Sequence, residues 1–140
     1  MKRLVMIVDD DPDLAREMAG ELERMDIEVL CALHYDAATS LLASAREPGL
    51  VCVDLELPTR SGYELCEYIR DTLGIRRVPI LVTSGSAFPE DMACAEEAGA
   101  DAFMKKPFSM RDFIASVDSL LARTRAAEPE ALPLPLPMEA

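Results

Sequence analysis

Short apolar runs alternate with longer segments of helical period, and this alternation restricts the fold more than any other feature. The runs are Leu4–Val8, Ile27–Cys31, Leu50–Val53, Val78–Val82 and Ala102–Met104. Three of them are continuously apolar, as strands covered by helices on both faces should be. Glu28 interrupts the second run, which suits an edge strand. Between the runs, Leu14, Met18, Leu22 and Met25 share a helical face, as do Ala38, Leu41, Leu42 and Ala45. Leu65, Ile69 and Leu73 repeat the period. A segment near Pro89–Ala98 is Ala-rich with a weak stripe, and Met110, Phe113, Ile114, Val117, Leu120 and Leu121 form the clearest one.

Capping chemistry supports these boundaries. Asp11 followed by Pro12 reads as an N-cap with proline at the first helical position. Ser61 and Glu64 have capping-box spacing, and Ser109 with Asp112 is a looser relative. Gly49, Gly74 and Gly99 sit where helices should stop. Five β-then-α units within residues 1–124 imply an α/β fold with a parallel sheet and right-handed crossovers. The expectation is a flavodoxin-like (βα)5 architecture, doubly wound, with strand order 2-1-3-4-5. Periodicity alone does not fix that order.

The chain changes character after Arg125. Pro129, Pro133, Pro135 and Pro137 disfavour helix and central strand, so 125–140 is expected to be an extended, disordered tail, or else a docked segment. No second domain is expected after it. Half of the 140 residues are hydrophobic, Trp is absent and aromatics are 5%, so the core must be mainly Leu, Ile, Val, Ala and Met. A net charge of −12 repels phosphate backbones and argues against direct nucleic-acid binding. No apolar run is long enough to span a membrane. The first strand is too short for a signal peptide, because Asp9, Asp10 and Asp11 end it. Cys31, Cys52, Cys66 and Cys94 have neither zinc-site nor redox spacing and are read as free core thiols of a cytosolic protein.

In such sheets ligands gather at the carboxyl ends of the strands. There the sequence offers Asp9 and Asp10 after strand 1, Asp54 after strand 3, Thr83 and Ser84 after strand 4, and Lys105, Lys106 and Pro107 after strand 5. Three carboxylates repel one another by about 4 kcal/mol per pair at ~4 Å and an effective dielectric of ~20. They are stable together when protonated, paired with lysine, or holding a hard cation. Oxygen-only ligands at a hydrated rim point to Mg2+ over Zn2+. The plainer alternative is a solvated acidic rim.

These residues resemble the receiver domains of two-component response regulators. The resemblance covers about residues 3–124 and rests on Leu4–Asp10, on Asp54–Gly62, on Thr83-Ser84-Gly85, and on Gly99-Ala100-Asp101 leading to Lys106-Pro107-Phe108. It implies that Asp54 takes a phosphoryl group from a phosphohistidine of a sensor histidine kinase or a histidine phosphotransfer protein. Mg2+ would be held by Asp10, Asp54 and the backbone carbonyl of Glu56, with Asp9 acting through a metal-bound water. Lys106, Thr83 and Ser84 would contact the phosphoryl oxygens, Lys106–Pro107 would be cis, and Thr83 with Phe103 would form the switch. Phosphorylation would shift the helix 4–strand 5–helix 5 face toward a downstream protein target. The chain would be a monomeric, single-domain regulator, with dimerisation on phosphorylation left open.

Several residues carry simpler readings alongside. Phe103 is a switch or ordinary core, and Phe88 a partner contact or loop packing. Lys105 and His34 are read as surface or capping groups, and methionines at helical spacing as core. The carboxylate of Glu56 is expected to slow loss of phosphate. Two rival functions stand beside the switch. One is a phosphorylation-independent interaction module. The other is a small Mg2+-dependent phosphatase using Asp54 and Glu56, disfavoured by the strand 3 position of the pair and the lack of chain for a substrate cap.

Overall fold

A computed structural model describes residues 2–44, 46–86 and 88–127. Five parallel strands, β1 (Leu4–Val8), β2 (Glu28–Ala32), β3 (Leu50–Asp54), β4 (Ile80–Ser84) and β5 (Ala102–Lys105), form one sheet in the order β2-β1-β3-β4-β5. Between and after them run α1 (Pro12–Glu23), α2 (Tyr35–Ser44), α3 (Gly62–Glu67), α4 (Pro89–Glu97) and α5 (Met110–Ala127). The expected flavodoxin-like order is therefore the observed one, with Glu28 on the edge strand.

Strand alternation divides the core in two. Met6, Val8, Val51 and Val53 pack on one side with Leu65, Ile69 and Ala95, while Val5, Ile7, Leu50 and Cys52 face Met18, Leu22, Phe113 and Val117 on the other. β1, β3 and β4 are buried along their whole length. Each buried Leu, Ile or Val contributes roughly 1.5–3 kcal/mol. That makes these strands the rigid floor on which the site rests.

Several boundaries differ from the expectation for local physical reasons. β2 begins one residue late because Asp26 takes a left-handed conformation (φ 62°) and the Ile27 N–H returns to Leu22 O, closing α1. β4 begins at Ile80 because Pro79 has no N–H for the ladder, although its carbonyl still accepts from Val51. Gly74 (φ 69°) and Gly99 (φ 111°) terminate helices, but Gly49 does not: α2 ends at Ser44, and the Gly49 N–H donates to Leu4 O at the entry to β3. α5 continues to Ala127, beyond the boundary drawn at residue 124. The tail expectation for 128–140 lies outside the described residues, as does Ala45 of the α2 stripe. Two of the four cysteines depart from the core reading, since Cys31 and Cys94 are exposed. So is Met92 of α4, whose stripe is too weak to bury every apolar side chain.

α3 does not run on as a single α-helix. Tyr68–Thr72 forms one π-helical turn, and Arg70 within it is only 7% exposed. Its guanidinium donates to Gly99 O (3.0 Å), Ile75 O (2.9 Å) and Asp101 Oδ2 (2.9 Å). Asp101 also accepts the Ile80 N–H at 2.9 Å and pairs with Arg123 at 3.4 Å. A Cβ at Gly99 would stand 2.5 Å from Arg70 Cγ, so glycine is needed there for space as well as for φ. This clamp joins α3, β4, β5 and α5 at the amino end of the sheet, opposite the acidic rim.

Candidate functional site

β1 and β3 are neighbours at the centre of the sheet, and strand order reverses between them. Side chains leaving their carboxyl ends converge in the crevice that this reversal creates. Asp9 is the first residue after β1, and its N–H still donates to Ala32 O at 3.0 Å, so it keeps strand geometry. Asp54 ends β3. Both are buried, at 1% and 3% exposure, whereas Asp10 is exposed. Asp11 takes the separate task of capping α1 through the Asp13 and Leu14 N–H groups.

Lys106 reaches this crevice from just beyond β5, across a cis Lys106–Pro107 peptide. Its Nζ stands 2.9 Å from Asp9 Oδ2 and 3.1 Å from Asp54 Oδ2. The other oxygen of each carboxylate takes a backbone donor, Asp11 N–H on Asp9 and Glu56 N–H on Asp54, both at 2.9 Å. Lys105, the preceding strand residue, is exposed. Burial, opposed by the Glu56 N–H bond, raised again by Asp9 and opposed by Lys106, leaves the Asp54 carboxyl titrating above its ordinary value. For the Lys106 ammonium, burial pulls downward but the bonds and charges of Asp9 and Asp54 win, so its pKa is raised.

Oxygens of Asp9, Asp10 and Asp54 all lie within 4.8 Å of one another. At that spacing each pair of ionised carboxylates repels by about 3.5 kcal/mol at an effective dielectric of ~20. One ammonium against three carboxylates leaves two negative charges uncompensated. A divalent cation with a preference for oxygen matches both that charge and the donor set, so these residues fit Mg2+.

The remaining residues singled out from sequence fall at varied distances from this centre. Thr83 is buried and pairs in register with Asp54, and its hydroxyl makes no hydrogen bond among the described residues. Ser84 does not turn toward Asp54. Strand alternation sends it the other way from Thr83, and its hydroxyl donates to Glu56 Oε2. Phe103 is half-buried and lines a groove of about 510 Å³ between α4 and β5, with Pro89, Met92 and Ala95. Phe88 is 64% exposed. The exposed His34 accepts the Ala37 N–H on Nδ1 at 3.2 Å and so caps α2.

Two features of the site were missed from sequence. The Glu56 side chain bridges to the β4–α4 loop, where Oε1 accepts the Gly85 N–H at 3.1 Å. Gly62, the first residue of α3, lies so close under β3 that a Cβ would overlap the Asp54 carbonyl oxygen. Its place directly after the capping Ser61 was the available signal, since a helix start there must pass against the strand it has just left.

Comparison with known proteins agrees with this geometry. Residues 5–118 match the family model described as response regulator receiver domain. A CheY-like response regulator receiver domain protein from Methanospirillum hungatei JF-1 is 25% identical, with a TM-score of 0.84 over 90% of this chain and 98% of that one. The non-phosphorylated HemR receiver domain from Leptospira biflexa is 26% identical, with a TM-score of 0.79 over 86% and 95%. The BeF3-activated DrrB receiver domain is 26% identical, with a TM-score of 0.76 over 87% and 99%.

Proposed function

This chain belongs to the response regulator receiver domain family, and from that premise we propose that Asp54 is the phosphoacceptor of a two-component signalling pathway. Receiver domains are signalling modules, and no helix among the described residues is long and apolar enough to cross a membrane. The donor is a phosphohistidine on a sensor histidine kinase or a histidine phosphotransfer protein in the cytoplasm. An Asp54 oxygen attacks phosphorus, the P–N bond to imidazole breaks, and an acyl phosphate forms. Such transfer asks the protein mainly for positioning and charge neutralisation.

The observation that carries this reading is the meeting of Lys106 with Asp9 and Asp54, which lie 97 and 52 residues before it along the chain. Two backbone N–H groups and the Lys106 ammonium orient the carboxylates, leaving Asp10 at the open mouth. Asp9, Asp10, Asp54 and the Glu56 backbone carbonyl would hold Mg2+, which when bound neutralises phosphoryl oxygens and orients them. Lys106 supplies a second positive charge to the transferred group. Thr83, beside Asp54 in register and with its hydroxyl unbonded among the described residues, donates that hydroxyl to a phosphoryl oxygen. That movement opens space toward Phe103, which turns inward from the α4–β5 groove. The altered α4–β5–α5 face then binds a downstream protein.

Incubation with acetyl phosphate and Mg2+ followed by intact-mass measurement tests the assignment. One phosphoryl group is expected on the wild-type chain and none on Asp54→Asn. A wild type that gains nothing, or an Asp54→Asn variant that gains as much, would falsify it. Steady turnover of a small phosphomonoester would restore the phosphatase alternative.

A further inference from the structure

Among the described residues, both oxygens of the Glu56 carboxylate beside the site are spent on a neighbouring loop. Oε2 accepts the Ser84 hydroxyl and Oε1 the Gly85 N–H. Ser84 Oγ also accepts the Ser86 N–H at 3.0 Å, and Ser86 Oγ donates to Asp91 Oδ2 at 2.6 Å, in the first turn of α4. At its other end Glu56 is tied to Asp54, because its N–H donates to Asp54 Oδ1 at 2.9 Å. A continuous hydrogen-bonded route thus runs from Asp54 through Glu56, Ser84 and Ser86 to Asp91. Among the described residues, the Tyr63 hydroxyl donates to Asp91 O at 3.2 Å and is a second tie on the first turn of α4. Gly85 and Phe88 are exposed, and Phe88, at the N-cap of α4, makes no side-chain capping bond.

We propose that Glu56 is a positioning residue whose carboxylate holds the β4–α4 loop and the first turn of α4 in their unphosphorylated arrangement, and that a phosphoryl group on Asp54 releases this hold. The proposal rests on the phosphoacceptor reading above. Both oxygens of Asp54 are engaged, by Lys106 and by the Glu56 N–H. Phosphorylating either one disturbs a bond that orients Glu56 or its surroundings. Once Glu56 lets go, Ser84 and Gly85 lose their acceptor and the link from Ser86 to Asp91 loses its anchor. The loop then follows Thr83. Charge on Asp54 thereby reaches a helix that Asp54 does not touch, through an element with two discrete arrangements.

The test is amide hydrogen exchange at Gly85 and Ser86, measured by NMR on the full chain. Without a phosphodonor, Glu56→Ala is expected to speed exchange at both amides about tenfold, the loss of one charge-assisted hydrogen bond. Glu56→Gln, which keeps the shape and one acceptor, should fall between. Ser84→Ala should speed Ser86, and the double variant should exceed the larger single effect very little, because the two residues act as one unit. Wild type carrying phosphate should exchange like Glu56→Ala. Unchanged exchange in Glu56→Ala, additive single effects, or continued protection of both amides in the phosphorylated chain would each overturn the proposal. If acetyl phosphate adds no phosphoryl group to wild type, the phosphoacceptor reading fails and release falls with it. The exchange rates of the unphosphorylated variants still decide whether Glu56 holds the loop.

Discussion

Gly62→Ala is expected to destabilise the fold by about 3 kcal/mol, at the upper end of what overpacking costs. The backbone at Gly62 is not left-handed, so the penalty is purely steric. Its added Cβ would overlap the Asp54 carbonyl oxygen and stand 2.8 Å from Leu55 Cα and 2.9 Å from Val53 Cγ1. Two of those neighbours are backbone atoms at the buried end of β3, which yield only if the strand end moves. Taking roughly 2.1 cal/mol/K per residue over about 125 residues, the unfolding entropy is ~0.26 kcal/mol/K, and Tm falls by about 11 °C. Gly20→Ala is the control, because a Cβ there meets nothing within 4 Å in α1. Helix propensity alone should then stabilise by about 0.8–1 kcal/mol and raise Tm by ~3–4 °C. Thermal melting followed by circular dichroism reads both. Because the displaced strand end carries Asp54, phosphoryl uptake by folded Gly62→Ala should also fall while Gly20→Ala keeps the wild-type level. A Gly62→Ala chain melting within about 2 °C of wild type would refute the packing argument, as would a Gly20→Ala chain that melts lower.

Four further outcomes are expected. Mg2+ at about ten times its dissociation constant should add roughly 1.4 kcal/mol to wild-type stability, and the gain should vanish with chelator or in Asp10→Asn; an undiminished Mg2+ effect in that variant would move the metal elsewhere. Arg70→Ala should cost about 3 kcal/mol, since it orphans the Gly99 and Ile75 carbonyls while Asp101 keeps Arg123, and denaturant titration would read it. Glu56→Ala should shorten the lifetime of phospho-Asp54, followed by loss of the mass increment after donor removal. Burial pushes the Cys52 and Cys66 thiols up to about 12, so thiol reagents at pH 8 should modify Cys31 and Cys94 alone in the native chain and all four after unfolding. The same raised values give stability that is complete below the unfolded thiol pKa of about 9 and lost toward pH 12, by up to about 1.4 kcal/mol per thiol per pH unit. An alkaline stability profile that stays flat across that window would contradict their burial.

The fold was legible because β1 and β3 announce double burial through unbroken apolar runs, and because β1, β3, β4 and β5 each lead into a charged or hydroxyl-bearing residue at the same rim. Asp9, Asp54 and Lys106 could be assigned to one rim from strand polarity alone, without knowing any side-chain distance. Side-chain direction within the loops was not legible. Ser84 reads like a partner of Thr83 until alternation turns it to Glu56, and Glu56 reads as a free carboxylate until the β4–α4 loop comes back beside it. Arg70 adjoins Ile69 in a helical stripe and has the look of a solvated residue. Its burial follows from the π-helical turn and from Gly99 yielding room, both of which depend on segments distant in the chain. Cys94 and Met92 were misplaced for a related reason: α4 has too few apolar residues for its stripe to define which side faces inward.

Because Arg70 grips Gly99 and Asp101, α4 is pinned at its C-terminal end, whereas its first turn depends on Ser86 and on the Tyr63 hydroxyl bonded to Asp91 O. The helix is therefore a lever with its fulcrum at Gly99. Nine residues make an arm of about 14 Å, so a tilt of ~10° carries Pro89 about 2.4 Å and Met92 about 1.6 Å while Ala98 stays in place. A binding protein that grips the Pro89 end reads the full stroke, and one seated near the fulcrum reads almost none.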